Sequence, residues 1–298
     1  MGEAKRRKNA IAIGPCRCGS GIAAGECCFR TGRWFCQPSL VNLRDGRHVG
    51  SVDGCYFSAL NSCGEITSRE HLVSRAVLNV LNPSMIVVSG LPWIAKGEER
   101  RIGSSSLVSK CLCKAHNSAL SPLDQVGGKF FAAMKAGFLN EENVAQHWLF
   151  SGHDIERWML KTLAAMANSE SLQMSGERLS AKFHPTINLP DQIQDVGSWK
   201  PKVGLYCNHV VGDRIENINN ISMWPLTNEG MEIIGIAMKI QGLELTLLAG
   251  DVDGLLRDGK PLGYRPGHFH FDHRGVVSAI DLSWRDANPH STLIISAN

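Results

Sequence analysis

The sequence predicts an α+β fold, and three patterns carry that reading. Nine of the ten cysteines lie before residue 114, in small groups with metal-ligand spacing. Between residues 121 and 168 apolar side chains recur at helical spacing. From about residue 200 they fall instead into short alternating or continuous apolar runs separated by turns. The expected order is a small N-terminal zinc knuckle, a second zinc-supported unit, a helical region and a mostly antiparallel β domain, with boundaries at 1–36, 37–126, 127–198 and 199–298.

The 298 residues, 43% hydrophobic and 20% charged, suit about two globular domains and exclude wholesale disorder or a coiled coil. No stretch reaches the roughly 18 uninterrupted apolar residues of a membrane-spanning helix. The nearest, Met231 to Gly250, is broken by Glu232, Lys239, Gln241 and Glu244. The opening run MGEAKRRKNAIAIG is basic and lacks the apolar core and small-residue cleavage site of a secretory signal, so a cytoplasmic protein with no membrane partner is expected. Net charge is +3 but uneven: residues 1–36 hold seven basic against two acidic side chains, the remainder 24 against 26. Such a basic arm either adds phosphate affinity or remains a solvated tail, and the tail is the default.

In a reducing compartment clustered cysteines read as metal ligands before disulfides. Residues 15–29 read PCRCGSGIAAGECCF, with Cys16 and Cys18 one residue apart and Cys27 and Cys28 adjacent. Zinc takes four thiolate or imidazole ligands at tetrahedral corners. A C-x-C turn supplies two, and the chain must reverse to bring two more; Gly19, Ser20, Gly21 and Gly25 give it that freedom. A unit this small has little apolar core, so the metal must hold it together. Free thiols in a flexible tail are the alternative. These residues resemble the SEC-C motif, a small zinc-binding appendage of many bacterial proteins. The resemblance covers about fifteen residues and implies zinc on Cys16, Cys18, Cys27 and Cys28, with a protein partner docking at the knuckle. Ile22, Ala23, Ala24 and Glu26 stand where that motif usually has lysines.

The second group is more spread out. Cys55 and Cys63 can form one half of a zinc site and Cys113 with His116 the other, with Cys111 able to substitute for Cys113. Between the halves, Ser68 suits a helix N-cap and Leu72, Ala76, Val77 and Val80 have helical spacing, so Glu70-His71 is expected at a helix start. Read blandly, Glu70 there complements the helix dipole. The order Cys63-Gly64, Glu70-His71, Cys113-x-x-His116-Asn117, then Ser121, Leu123 and Asp124 resembles the HNH (ββα-metal) endonucleases over residues 52–126. That resemblance implies a zinc-supported ββα core, His71 as general base, and Glu70 and Asn117 nearest a catalytic Mg²⁺ or Mn²⁺. An imidazole titrating near neutrality suits the task of activating a water. Two departures stand out: seven residues separate Cys55 from Cys63, and no asparagine sits shortly before the second pair, where the run reads GSSSLVSK.

Downstream, Pro122 suits the first turn of a helix carrying Phe130, Phe131, Met134 and Phe138. A second helix starts near Ser151, with Ile155, Trp158, Met159, Leu163 and Met166 as its core stripe. His153, Asp154, Glu156 and Arg157 could extend an active site, but a solvent face is the default expectation. In the β-rich region His268 and His270 fall on one face of a strand and Phe269 and Phe271 on the other, with His273 at its end; a half-exposed strand explains them better than a metal site. Cys36 and Cys207 read as small buried residues. The function that follows from the resemblance is metal-dependent hydrolysis of DNA phosphodiesters, with about two structural zinc ions by the four-ligand rule. A non-catalytic zinc adaptor that uses the same scaffold to bind nucleic acid or a protein is the alternative.

Overall fold

The computed structural model describes residues 2–64, 66–82, 84–89, 91, 94–95, 97–169, 173–174, 177–178, 188–208, 219–230, 232–250, 263–286 and 292–297. Among them the fold is mixed α+β, with five α-helices and mostly antiparallel sheets. Helix α1 (Gly2–Ile13) precedes the knuckle and the hairpin of β1 (Phe29–Arg30) and β2 (Arg33–Trp34), so the basic arm is helical where a solvated tail is expected. Then come β3 (Thr67–His71), α2 (Arg75–Leu81), β4 (Met85–Ser89), β5 (Glu99–Gly103), β6 (Val108–Cys113), α3 (Lys114–Leu139), β7 (His147–Ser151) and α4 (Gly152–Asn168). A two-residue pair, β8 (Gln173–Met174) and β9 (Glu177–Arg178), leads to α5 (Leu189–Gln194). The β-rich end holds β10 (Gly204–Asn208), β11 (Asn220–Thr227), β12 (Ile233–Ile240), β13 (Leu243–Leu248), β14 (Gly263–Tyr264), β15 (His268–His273), β16 (Val276–Ser283) and β17 (Thr292–Ala297). The run RDGKPLGYRPG, which its Gly and Pro content marks as a loop, lies outside the described residues up to Leu262.

Two sheets recruit strands from distant parts of the chain. A seven-stranded sheet runs β14-β10-β13-β12-β11-β4-β5, parallel only at β11–β4. A four-stranded sheet runs β17-β15-β16-β7. Its outer pairings are parallel and its central one antiparallel. Thus β4 and β5, from between the two halves of the second cysteine group, join strands from beyond residue 200, and one continuous hydrophobic core links these segments. On β15 the alternation holds as the sequence predicts: Phe269 and Phe271 are fully buried, His268 is exposed and His270 is half-buried. Phe269 and Phe271 meet α3 edge-on through Phe130 and Phe138, with ring centroids 6.0 and 4.9 Å apart. Such pairs add about 0.5–1.5 kcal/mol each beyond their area.

Helix α4 is the hub. Every residue from Gly152 to Ala167 is buried, because α3, α5 and both larger sheets surround it. Its apolar stripe is core, as the spacing predicts, but His153, Asp154, Glu156, Arg157 and Lys161 are buried too. An unpaired buried charge is costly, so each needs a partner. Arg157 bonds Asp154, and Asp154 accepts from the Ser39 amide and hydroxyl. Glu156 takes two bonds from Arg265, at 2.8 and 3.1 Å, and one from the Leu205 amide at 3.0 Å. The close approach of α3 to α2 and α4 rests on Gly128 and Gly127: a Cβ added there would meet Ala76 at 2.6 Å and the Trp158 ring at 2.9 Å.

Candidate metal centres and the His71 face

The first centre is built by a tight reversal. Gly19 and Gly21 take φ of +71° and +76°, where a Cβ would be strained, and the Cys16 amide donates to the Ile22 carbonyl across the turn. This brings Cys16, Cys18, Cys27 and Cys28 together, with Sγ–Sγ separations of 3.4 Å (16–18), 3.5 Å (18–27) and 3.6 Å (27–28). Four thiolates about 2.3 Å from one zinc ion lie about 3.8 Å apart, so the set is slightly contracted but in register for tetrahedral coordination. Burial pushes the Cys18 thiol up, but bonds with Ser20, Cys16 and Cys27 outweigh it and bring it down to about 7. The knuckle docks on its own chain. The Leu149 amide donates to the Arg17 carbonyl, and the Arg17 guanidinium pairs with Asp281 at 3.0 Å while lying over Trp34. Cys36 is half-buried beside this centre and not in it.

The second centre joins Cys55, Cys63, Cys113 and His116, all buried. His116 Nδ1 lies 3.4, 3.8 and 3.2 Å from the three sulfurs, around the roughly 3.6 Å of a tetrahedral S–Zn–N pair. The other ring nitrogen settles the tautomer. Nε2 lies 3.1 Å from the Leu43 carbonyl, which can only accept, so Nε2 carries the hydrogen and Nδ1 offers its lone pair to the centre. Ser62, donating to the same carbonyl at 2.8 Å, holds it in place. Cys113 also caps α3, its sulfur accepting from the His116 amide, so C-x-x-H puts both ligands on the helix's first turn. Helix α3 therefore starts at Lys114, and Pro122 sits inside it instead of in its first turn. Cys111 stays outside the group, which resolves the C-x-C choice in favour of Cys113. Burial pushes the Cys55 thiol up to about 12 and the His116 imidazolium down. An ion-free second centre thus holds a neutral thiol at Cys55 and a neutral imidazole, and zinc binding there releases protons. Both groups can hold structural zinc; among the described residues no other such group occurs.

Glu70 and His71 lie on strand β3, correcting the helix start expected at Ser68; the helix begins at Arg75. The physical reason is non-local. Strand β3 pairs antiparallel with β6, opposing Glu70 to Ser109 and His71 to Val108, and this ladder outweighs any local cap at Ser68. Successive strand side chains alternate faces. Glu70 is buried towards α4, whereas Arg69 is exposed and His71 half-buried on the opposite side. Asn117, on α3, donates from Nδ2 to Ser68 Oγ at 2.9 Å and ties the helix to the ribbon. Glu70 and His71 thus leave the strand on different sides, while Asp124 and Lys161 act electrostatically on both.

Glu70 meets a cation already. Lys161 Nζ, from α4, lies 2.6 Å from Glu70 and 2.5 Å from Asp124 on α3. Glu70 is 4% exposed, and the Lys161 side chain 2%. Burial pushes the Lys161 ammonium down, but Asp124 and Glu70 more than offset it, so it stays charged. A divalent ion at Glu70, which the HNH resemblance implies, does not fit these residues as arranged. His71 differs. Burial and then Arg75 push its imidazolium below the ordinary value, and among the described residues no hydrogen bond engages its ring. Arg75, Lys161 and Arg69 act on it in the same direction and Asp124 opposes them; of these, Arg69 and Arg75 are exposed. Arg69, Arg75 and Lys161 were not singled out from the sequence; Asp124 entered only as the end of the HNH-like run, seven residues beyond Asn117 on one side of α3.

Comparison with models of protein families, with curated proteins and with solved structures finds no match for this chain. Among the described residues no helix is long and apolar enough to cross a membrane.

Proposed function

We propose that the chain is a zinc-stabilised protein of HNH-like (ββα-metal) build that binds nucleic acid, DNA first, through the His71 face of the β3–β6 ribbon. The succession β3–β6–α3, pinned at the helix start by Cys113 and His116, supports the ββα reading. The observation that carries the binding reading is the contrast between Glu70, buried on a lysine, and Arg69 and Arg75, which are exposed and act on His71. Cations on a surface gain phosphate affinity by releasing counterions. The SEC-C-like knuckle serves mainly as a structural appendage here, since its Arg17 side is spent on Asp281; a protein partner would engage the opposite side. A cytoplasmic location accords with the free cysteines.

Hydrolysis of phosphodiesters by His71 is the second reading, favoured by the half-buried ring: burial disfavours its imidazolium and so favours the neutral form that accepts a proton. Incubation with plasmid and single-stranded DNA, with Mg²⁺ or Mn²⁺, separates the two. Cleavage that vanishes in zinc-loaded His71→Ala establishes hydrolysis; binding without cleavage leaves the scaffold reading. Arg69→Ala with Arg75→Ala is expected to lower the slope of log affinity against log salt by about 1.8, at about 0.9 per phosphate contact. An unchanged slope and affinity would remove the ribbon face from the account.

A further inference from the structure

We propose that Lys161 is a resident cation: its ammonium fills the place between Glu70 and Asp124 that a divalent ion would need, and so keeps such ions out while locking β3, α3 and α4 together. This is independent of whether nucleic acid binds. The geometry is specific. One Nζ reaches carboxylates from two other elements, 2.6 Å to Glu70 on β3 and 2.5 Å to Asp124 on α3. Lys161 comes from the centre of a helix with no exposed face, so the ammonium cannot swing out to water without unpacking α4. A point charge with three donors replaces the oxygen-coordinated cation that a carboxylate pair otherwise attracts.

The charge count shows what the ammonium leaves undone. Two carboxylates face one cation, and Asp124 Oδ1 and the Tyr56 hydroxyl are buried with no hydrogen-bond partner among the described residues. Burial, and after Lys161's opposing pull the Asp124 charge, push the Glu70 carboxyl up. The site is therefore one positive charge short, and it would accept a divalent ion in place of the ammonium if Lys161 were gone. Lys161 is a positioning residue on this account. It touches no substrate, and it fixes Glu70 against α4.

Mn²⁺ titrated into the zinc-loaded full chain, without nucleic acid and followed by the loss of the free-ion EPR signal, tests this. Wild type is expected to take up no Mn²⁺ at this place, and Lys161→Met to take up one ion per chain, which Glu70→Gln in the same chain abolishes. Wild-type uptake that Glu70→Gln removes would overturn the proposal, as would a folded Lys161→Met chain that binds no Mn²⁺. Should Lys161→Met fail to fold, the comparison of wild type with Glu70→Gln still decides: equal absence of Mn²⁺ uptake supports the resident cation, and a Glu70-dependent ion sinks it.

Discussion

Cys113→Ser separates the metal from everything else that Cys113 does. The native sulfur caps α3 by accepting from the His116 amide, and it also accepts from the Gly64 amide at 3.4 Å. Serine is a favoured N-cap, so the substitution keeps the capping role, itself worth about 1 kcal/mol. What serine cannot supply is a zinc thiolate. If losing one of four ligands weakens zinc binding about 1,000-fold, linkage removes about 4 kcal/mol from the folded state. For a domain-sized unit that is a fall in melting temperature on the order of 10 °C. Thermal unfolding of both proteins, with and without a chelator, provides the assay. Wild type should fall towards the variant on chelation, and the variant should lose little further from this centre. Cys111→Ser, two residues away and outside the tetrad, is expected to keep its zinc and its chelator response. A Cys113→Ser chain that melts like wild type and retains all its zinc would refute the four-ligand assignment.

Other outcomes follow from the same geometry. Cys27→Ser should release the knuckle's ion alone and leave the second centre loaded, read as zinc per chain. Glu156→Leu leaves the 6%-exposed Arg265 with Asp286 as its remaining carboxylate among the described residues, and breaking so buried a pair is expected to cost about 3–5 kcal/mol in denaturant unfolding. The imidazolium of His71 is disfavoured in the fold, so its share of stability is complete above about pH 6.5 and is lost as pH falls below that unfolded value. Protonation also adds positive charge beside Arg69 and Arg75, so DNA affinity should rise as pH falls through the lowered folded value, and His71→Ala should flatten that rise.

The zinc centres were legible because their ligands are set by spacing: C-x-C, C-C and C-x-x-H each bring two donors to one ion whatever the rest of the chain does. The placement of Glu70-His71 was not. TSREH is short and polar, and it becomes a strand only through a partner, β6, that arrives after α2, β4 and β5. The charges on α4 misled for a similar reason. His153, Asp154, Glu156 and Arg157 look like a solvent face until Ser39 and Arg265, both remote in sequence, are folded against them. Lys161 belongs with them, since its significance lies wholly in carboxylates from β3 and α3. The face of β15 that carries His268 and His270 was legible, because period-two alternation is local and survives whichever neighbours pair with it.

Zinc per chain on the intact, purified protein, measured together with the number of thiols free to react under native conditions, tests the two centres most directly. Two zinc ions are expected, with the seven tetrad cysteines protected until a chelator is added. A metal-free chain whose Cys16, Cys18, Cys27, Cys28, Cys55, Cys63 and Cys113 all react freely would contradict the account at its root.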